Sequence, residues 1–358
     1  MDRRKFLQNT TMLAISGGVA GLSPLNAAWK KPPVEETPKG PRIAASLKYR
    51  SDGKFKILQL TDTHVIAGDP RSERAIQNIN AVLDAEKPDF VIHTGDIIYG
   101  TPADASVRMV FQPLMNRGIP FAVVLGNHDE EFDLSRAEIY EVVRSFAGNV
   151  NTPADTSLNG FSNDILTLSG AAGPDRVFYL FDTGNRTPLV SGLKSWDYVH
   201  SDQIEWYRRA SAFFTAGNGG VPIPSLAFFH IPFDEYLTAL HEGRWKGLSM
   251  KGNLGETPSR KFNSGLYVAM REMGDVQATV AGHDHNNDFA LLWQGFFFLY
   301  GRFSGCDIVY NDLKPNGARV FEFSEGNDGF RTWIRLSDGR IEQELCLFPG
   351  MKSLSDKR

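Results

Sequence analysis

The chain has 358 residues, of which 42% are hydrophobic and 22% are charged. This composition is ordinary for a folded globular protein and excludes a disordered chain, and no strongly apolar run of about 18 residues indicates a protein with several membrane spans. The formal net charge of −4 gives no sign of a broad nucleic-acid-binding surface. A transmembrane anchor is not predicted either.

Residues 1–28 have the layout of an export signal. A charged start with Arg3 and Arg4 is followed by a mildly apolar run from Thr11 to Leu22 and then by two alanines. The arginine pair before Phe-Leu resembles the bacterial twin-arginine type. We therefore expect the precursor to use the twin-arginine export machinery and the product to be periplasmic or secreted. The alternative is a frayed N-terminal helix with a chance arginine pair.

A proline-rich stretch, residues 29–53, is predicted to be a linker. One domain is predicted to follow over residues 54–348, with a C-terminal tail at 349–358. The two cysteines, Cys306 and Cys346, either form a disulfide in an oxidising compartment or remain unpaired thiols.

The first half of the domain alternates strands and helices. Apolar runs predict strands at 55–60, 90–93 and 121–125, with helical patterns at about 72–85 and 105–116 between them. Polar residues follow each strand, and in an open α/β sheet ligands gather at this end of the strands.

The second half continues this pattern. Strands are predicted at 177–181, 226–229 and 276–280, with a helix at about 201–216. Three later segments are predicted to be antiparallel strands that close a second sheet: 289–300, 320–323 and 332–347.

Histidines and oxygen-bearing side chains collect at these strand ends. Five of the eight histidines follow predicted strands: His64, His128, His230, His283 and His285. Two aspartates and one asparagine accompany them: Asp62, Asp96 and Asn127. Such a mixture of oxygen and imidazole nitrogen suits hard or borderline metal ions.

The spacing of these residues fits a site for two ions. Asp62 and His64 are two positions apart and point the same way on an extended segment, so one segment supplies two ligands; His283 and His285 repeat this spacing. Two cations about 3.5–4 Å apart need a shared carboxylate against their mutual repulsion. Asp96, on a Gly-Asp turn, suits that bridging role.

Each of these residues also has a simpler interpretation. Asp62 could be only a turn former and Asp96 only a cap, while Asn127 at a Gly-Asn turn is commonly a backbone device. His230 alone would more often be a satisfied core histidine. We favour a metal site because otherwise five strand ends would carry such residues by coincidence. His93, on the strand before Asp96, is interpreted as structural.

In this order the motifs resemble the calcineurin-like metallophosphoesterase superfamily, over residues of about 55–290. The motifs are Asp62-Thr-His64, Gly95-Asp96, Gly126-Asn127-His128-Asp129, the isolated His230 and Gly282-His283-Asp284-His285. Three longer segments are similar to the purple-acid-phosphatase-like branch of plant and fungal proteins: 124–136, 228–232 and 282–288. The resemblance implies an α/β fold of the metallophosphoesterase type, a four-layer sandwich of two mixed β-sheets flanked by helices.

The resemblance also implies a role for each residue. The implied metal ligands are Asp62, His64 and His285 for the first ion, Asp96 as the bridge, and Asn127, His230 and His283 for the second. His128 would lie near the phosphate ester and protonate the leaving oxygen or stabilise the transition state, while a metal-bridging water attacks phosphorus. Mixed nitrogen and oxygen ligation suits two divalent or trivalent ions of Fe, Mn or Zn.

The sequence departs from two branches of this superfamily. Asp96 is followed by Ile-Ile-Tyr-Gly, so the Asp and Arg that orient the histidine and hold phosphate in protein Ser/Thr phosphatases are missing. The Gly-Asp-x-x-Tyr pattern that ends at Tyr99 matches true purple acid phosphatases, where the tyrosine ligates ferric iron, but those lack the histidine of Asp-x-His. We favour His64 as the ligand and place Tyr99 behind the ligands or in the pocket, together with Asp129 and Asp288.

Substrate-binding residues are less clearly indicated. The segment from Tyr236 to Arg260 is predicted to be a loop that covers the site and contributes Tyr236, Arg244 and Lys251; the alternative is a solvated insertion. Arg136 would either reach a phosphate or be a surface charge.

The sequence thus predicts a dinuclear metal-dependent phosphoesterase that acts on a small phosphate ester as a phosphomonoesterase. One alternative is a phosphodiesterase acting on nucleotides or lipid head groups. An alternative of another class is a non-catalytic, metal-stabilised binding module, against which the complete ligand set and His128 argue.

Overall fold

The computed structural model describes residues 40–187, 195–246, 249–256 and 262–356, without the side chains of residues 244–246. The predicted export signal (1–28) and the first part of the predicted linker (29–39) lie outside the described residues. Within the described part, no helix combines the length and apolar character that crossing a membrane requires.

The chain forms six α-helices and fourteen strands within the described residues. The helices are α1 (Glu73–Glu86), α2 (Ala103–Arg117), α3 (Arg136–Arg144), α4 (Ser201–Gly217), α5 (Glu235–Lys246) and α6 (Leu266–Met273). The first seven strands are β1 (Ala45–Lys48), β2 (Lys54–Leu60), β3 (Phe90–His93), β4 (Phe121–Val123), β5 (Asp164–Gly170), β6 (Gly173–Phe181) and β7 (Ser225–Phe229). The remaining strands are β8 (Ser249–Lys251), β9 (Val276–Ala281), β10 (Ala290–Trp293), β11 (Phe296–Tyr300), β12 (Gly317–Ser324), β13 (Phe330–Leu336) and β14 (Ile341–Leu347).

The strands form two mixed sheets. The six-stranded sheet has the order β14-β13-β12-β2-β3-β4, in which β2, β3 and β4 are parallel and the other pairings are antiparallel. The eight-stranded sheet has the order β1-β5-β6-β7-β9-β11-β10-β8, with β6, β7, β9 and β11 parallel at its centre. The parallel strands of each sheet place their carboxyl ends at a common edge.

Three buried cores separate four layers. Alternate residues of a strand point to opposite faces, so Leu58 of β2 packs under α1 and α2 while its neighbour Ile57 faces the other sheet. A second helix-covered core lies on the eight-stranded sheet, where Tyr179 packs against α4 and α6. The predicted α/β four-layer sandwich of two mixed sheets flanked by helices is confirmed.

Three details of the predicted chain course are wrong. Part of the predicted linker is structured, because β1 pairs in parallel with β5 as an edge strand. The late strands do not close one sheet: β10 and β11 join the eight-stranded sheet, whereas β12, β13 and β14 extend the sheet of β2. The segment predicted to be a loop after Tyr236 contains α5 and β8. Alternating apolar residues establish that a strand exists but not which neighbour it pairs with.

Two further details concern the end of the chain and the cysteines. Met351, in the predicted tail, is buried against the core between the sheets. Cys306 is buried, Cys346 is exposed, and the two are not joined.

Candidate metal centre

The predicted ligands come together where the carboxyl ends of the parallel strands of both sheets meet. Turns after β2, β3 and β4 of the six-stranded sheet carry Asp62, His64, Asp96, Asn127 and His128. Turns after β7 and β9 of the eight-stranded sheet carry His230, His283 and His285. The site is therefore assembled across the interface between the sheets.

Several of these turns have an unusual backbone. Asp62, His64, Asp96 and His283 have φ values of 54°, 50°, 52° and 76°, in the left-handed region that residues other than glycine seldom adopt. Such conformations concentrate at functional sites, where surrounding structure enforces them. The turns also pack tightly, since a Cβ on Gly126 would lie 2.2 Å from the backbone nitrogen of Asp96. This explains the glycine before the Asn-His pair.

The first cluster consists of Asp62, His64 and His285, all buried. The Nε2 atoms of His64 and His285 are 3.0 Å apart, and Asp62 Oδ1 lies 4.0 Å from the former and 3.8 Å from the latter. Burial lowers the pKa of His64 well below its ordinary value and that of His285 to about 4. Both rings are therefore neutral, the form in which imidazole binds metals.

The second cluster consists of Asp96, His230 and His283, with Asn127 beside it. His230 Nε2 lies 3.1 Å from Asp96 Oδ2 and 3.1 Å from Asn127 Oδ1. Burial opposes the charged imidazolium, but the Asp96 carboxylate outweighs it and raises the pKa of His230 to about 9. His230 and Asp96 thus form a buried hydrogen-bonded pair of opposite charge, and both are also candidate metal ligands.

One carboxylate oxygen faces both clusters. Asp96 Oδ2 is 3.1 Å from His230 Nε2 in the second cluster and 3.8 Å from His64 Nε2 in the first. The other oxygen, Oδ1, accepts a hydrogen bond from the backbone N–H of His128 at 2.8 Å, which fixes the carboxylate orientation. The geometry suits Asp96 to the bridging role predicted for it.

The donor set fits metal ions. His285 Nδ1 donates to the carbonyl of Tyr310 at 2.8 Å and His230 Nδ1 to the carbonyl of Thr94 at 2.7 Å. Because a carbonyl only accepts, each ring directs Nε2 towards its cluster, the arrangement typical of metal-binding histidines. Among the described residues, the buried His64 Nδ1 and Asn127 Nδ2 have no hydrogen-bond partner. The residues present could hold two cations.

His128 is at the edge of the first cluster and is partly exposed. Its ring lies 5.5 Å from that of His64 and 4.9 Å from that of Tyr99, and its Nδ1 lies 2.5 Å from Glu131 Oε2. Glu131 was missed in the sequence, although an acid three residues after a histidine can reach its ring. It supplies the carboxylate that the missing Asp would have provided.

Three residues were predicted to support the ligands or line the pocket: Tyr99, Asp129 and Asp288. The first two contact a ligand or the turns that carry ligands. Tyr99 packs its ring edgewise against His64 at 5.3 Å. Asp129 is buried and accepts from the backbone N–H groups of Ile97 and Gly126, both at 2.7 Å, so it joins two ligand-bearing turns. Asp288, by contrast, has hydrogen-bond partners outside the clusters.

The contacts of Asp288 are structural. Its buried carboxylate accepts from Arg302 at 2.5 Å, from the backbone N–H of Asn253 at 2.7 Å and from Gln343 at 2.7 Å. These partners belong to strand ends and to β14. Asp288 therefore connects the two sheets rather than supporting a ligand.

The prediction that Arg136 reaches a phosphate or is a surface charge is wrong. Its buried guanidinium forms an ion pair with Asp182, at the end of β6, and donates to the carbonyls of Gly126 at 2.6 Å and Leu125 at 3.1 Å. We call this arrangement the Arg136 clamp. It fixes the turn that carries Asn127 to the eight-stranded sheet.

The other predicted substrate residues do not line the site. Tyr236 is fully buried in the core of α5, where its hydroxyl lies 3.0 Å from Thr279 Oγ1, so its prediction is wrong. Lys251 is exposed on the edge strand β8, where it pairs with Ala290, and no contact among the described residues joins it to the clusters. The side chain of Arg244 lies outside the described part.

The rim of the site contains aromatic residues that the motifs did not indicate. Tyr310 stacks on His285 at 4.4 Å and donates its hydroxyl to Glu256 at 2.8 Å. Trp196 packs edgewise against His283 at 4.6 Å, and the Arg186 guanidinium lies 3.8 Å from the centre of the Trp196 ring. These residues lie outside the predicted motifs, so the sequence carried no signal for them.

Comparisons with known proteins agree with this geometry. The model of the family "Calcineurin-like phosphoesterase" matches residues 55–287. The "Probable inactive purple acid phosphatase 28" of Arabidopsis thaliana is 30% identical over 84% of this chain and 85% of that protein. "Phosphatase DCR2" of Saccharomyces cerevisiae is 28% identical over 82% of this chain and 56% of its own length.

Among solved structures, a dimetal phosphatase from Danio rerio has a TM-score of 0.57 and 14% identity, covering 83% of this chain and 99% of the other. That likeness shows the shared fold. The family match covers more than half of the chain and includes every residue of both clusters. This chain belongs to the calcineurin-like phosphoesterase family.

Proposed function

We propose that this protein is a dinuclear metal-dependent phosphoesterase that hydrolyses phosphomonoesters. The proposal rests on one observation: the buried Asp96 carboxylate presents a single oxygen to two separate groups of imidazole and carboxylate side chains. A buried carboxylate between two ligand groups is costly unless cations offset its charge. Fe, Mn and Zn all suit the donor set.

Two bound cations would supply charge neutralisation of the phosphoryl oxygens and a water of lowered pKa. The protein's own residues position these components. Asp96, His230 and His285 are buried, and each is fixed by a hydrogen bond to neighbouring backbone, so these side chains need little reorganisation when substrate binds.

His128 is the group we assign to the leaving oxygen of the ester. It is partly exposed, so it can contact a substrate that reaches the clusters, and Glu131 at its Nδ1 orients the ring. With Nδ1 engaged by a carboxylate, Nε2 is the atom available to donate a proton. A general acid contributes typically 10²- to 10⁴-fold to the rate.

A non-catalytic binding module remains the competing function, and one observation favours it. Relatives such as the Arabidopsis protein above carry the word "inactive" in their names. Against this, both ligand groups are complete in this chain and His128 has its carboxylate partner. The two functions differ in whether the metal-loaded protein turns over an ester.

The test is hydrolysis of p-nitrophenyl phosphate and of bis(p-nitrophenyl) phosphate by protein loaded with manganese or zinc, with bound metal measured by elemental analysis. We expect about two ions per chain and faster hydrolysis of the monoester. Two bound ions with hydrolysis of neither ester would establish the binding module, and faster hydrolysis of the bis ester would establish a phosphodiesterase.

His128→Ala tests the assigned acid. We expect both ions to stay bound while kcat falls about 100-fold. The matched control is His241→Ala, which removes an exposed histidine of α5 and should leave kcat unchanged. Equal rates for the two variants would remove His128 from the mechanism.

We also propose that the protein acts outside the cytoplasm, on the basis of the Arg3-Arg4 signal in its sequence. Replacing both arginines by lysine in a reporter fusion of residues 1–28 should abolish export through the twin-arginine route. Unchanged export would contradict this proposal.

A further inference from the structure

The rim of the second cluster carries an exposed guanidinium in a fixed position. Arg186 and Trp196 face each other in an isolated antiparallel bridge. Backbone hydrogen bonds flank this bridge on both sides: Thr187 N–H donates to the Ser195 carbonyl at 3.2 Å, and Asp197 N–H donates to the Asn185 carbonyl at 2.9 Å. The two residues therefore project from opposing backbone segments that are locked together.

The side chains of this pair contact each other and the ligand cluster. The guanidinium carbon of Arg186 lies 3.8 Å from the centre of the Trp196 ring, a close cation–π contact. The same ring packs against the imidazole of His283 at 4.6 Å with an interplanar angle of 85°. Because the indole of Trp196 contacts both Arg186 and His283, only the width of this ring separates Arg186 from the second cluster.

The charge of Arg186 is not neutralised locally. Among the described residues, no carboxylate lies within ion-pair distance of its guanidinium. Asp197, the acid on the same loop, is engaged instead by His200 Nε2 at 3.2 Å. Stacking on Trp196 limits the freedom of the side chain, and the edges of the guanidinium keep their donors available.

We propose that Arg186, held by Trp196, binds a second anionic group of the substrate. This inference rests on the proposed phosphoesterase function, since the scissile phosphate is taken to lie at the metal clusters. Because the Trp196 ring separates the Arg186 guanidinium from the second cluster, Arg186 is too distant to contact the scissile phosphate together with the metal ligands. A substituent of the ester can reach it. The favoured substrates are phosphomonoesters that also carry a phosphate or a carboxylate.

The forked, planar shape of the Arg186 guanidinium favours binding of an anion over the alternative, in which this part of the rim stacks on an organic ring of the substrate. Planar guanidinium donors match the geometry of carboxylate and phosphate oxygens. The face of Trp196 that contacts Arg186 is covered by it, so that face cannot stack on a substrate ring. Arg136 cannot contribute to this contact, because its guanidinium is buried in the Arg136 clamp.

The experiment compares two non-hydrolysable probes, benzylphosphonate and 4-carboxybenzylphosphonate, by calorimetric titration of the metal-loaded protein. We expect the carboxylated probe to bind about tenfold more tightly to the wild type, the effect of one charge-assisted contact. Arg186→Gln should abolish this preference without weakening benzylphosphonate. Arg186→Lys should retain part of it.

The control is Arg209→Gln, which removes an exposed arginine of α4 whose ion-pair partner is Glu205 in the same helix; its preference should equal that of the wild type. Equal preference in wild type and Arg186→Gln, or no binding of either probe, would overturn the inference. Hydrolysis is not needed for this measurement. A protein that binds the probes with the expected preference but hydrolyses no ester would contradict the proposed function alone.

Discussion

The first and second clusters both draw ligands from the two sheets, yet they are held together differently in the absence of ions. In the second cluster, His230 and Asp96 form a buried pair of opposite charge at 3.1 Å. In the first, the neutral rings of His64 and His285 face each other at 3.0 Å and the carboxylate of Asp62 stays about 4 Å away. The second cluster thus contains a charged hydrogen bond of its own, whereas the first brings two neutral rings together beside a carboxylate.

The largest expected effect comes from removing what the two clusters share. Asp96→Asn keeps the shape of the side chain but leaves no charge between the ions, so we expect weaker binding of both ions. The catalytic efficiency kcat/KM should fall on the order of 10³-fold, which corresponds to several kcal/mol of lost transition-state stabilisation. Elemental analysis and ester hydrolysis measure the two effects.

A matched control is available for this variant. Asp275→Asn also removes a buried carboxylate, which accepts from Tyr179 at 3.0 Å before the start of β9, at the end of the strand remote from the clusters. It should lower stability while both ions and the rate are retained. If Asp96→Asn kept two ions and the wild-type rate, Asp96 would not be the bridge.

The second prediction compares the clusters directly in the metal-free protein. His230→Gln leaves the buried Asp96 carboxylate without its imidazolium and should lower the free energy of unfolding by about 3 kcal/mol. His64→Gln removes a neutral ring, which forms no ion pair, and should lower the free energy of unfolding by about 1 kcal/mol. Urea unfolding in the presence of a chelator measures both. If the two variants lowered the free energy of unfolding equally, the second cluster would not be stabilised more than the first by its own ion pair.

The third prediction concerns the group beside the first cluster. Glu131→Gln removes the negative charge at His128 Nδ1 but keeps a side chain of the same size, so we expect kcat to fall about tenfold. KM and the metal content should stay at wild-type values, because the side chain of Glu131 pairs with His128, which is not one of the proposed metal ligands. A change in KM with kcat unchanged would indicate a substrate contact instead.

The smallest effect is expected for Tyr99→Phe. If His64 completes the first cluster, removing the tyrosine hydroxyl should leave both ions bound and change kcat within about twofold. Loss of one ion from this variant would instead make Tyr99 a ligand. The result therefore decides which side chain completes the first cluster.

The buried part of the centre was largely predictable from the sequence. Asp62-x-His64 and His283-x-His285 carry their ligand spacing within a few residues, and each follows an apolar strand whose end must lie at the sheet edge. The left-handed backbone of Asp62 and Asp96 was not predictable, because it is imposed by close packing of turns that are far apart in the sequence. Gly126 against Asp96 is one such contact.

The rim of the site was not predictable. Arg136 follows the His128 motif and carries a charge, yet its burial depends on Asp182, which lies 46 residues further on. The pairing of Arg186 with Trp196 depends on a loop whose two sides meet only in the folded chain. The sequence shows where charged residues occur. Long-range packing decides whether such a residue is buried in a structural ion pair or exposed where a substrate can contact it.

The Arg136 clamp has a consequence for how this scaffold can diversify. It joins the turn that carries Asn127 to the end of β6, and so links the two sheets next to the clusters. Because the guanidinium of the clamp is buried and donates to backbone carbonyls of that turn, side-chain changes in the rim loops leave the turn anchored. The rim can therefore vary in evolution while the candidate metal centre keeps its framework.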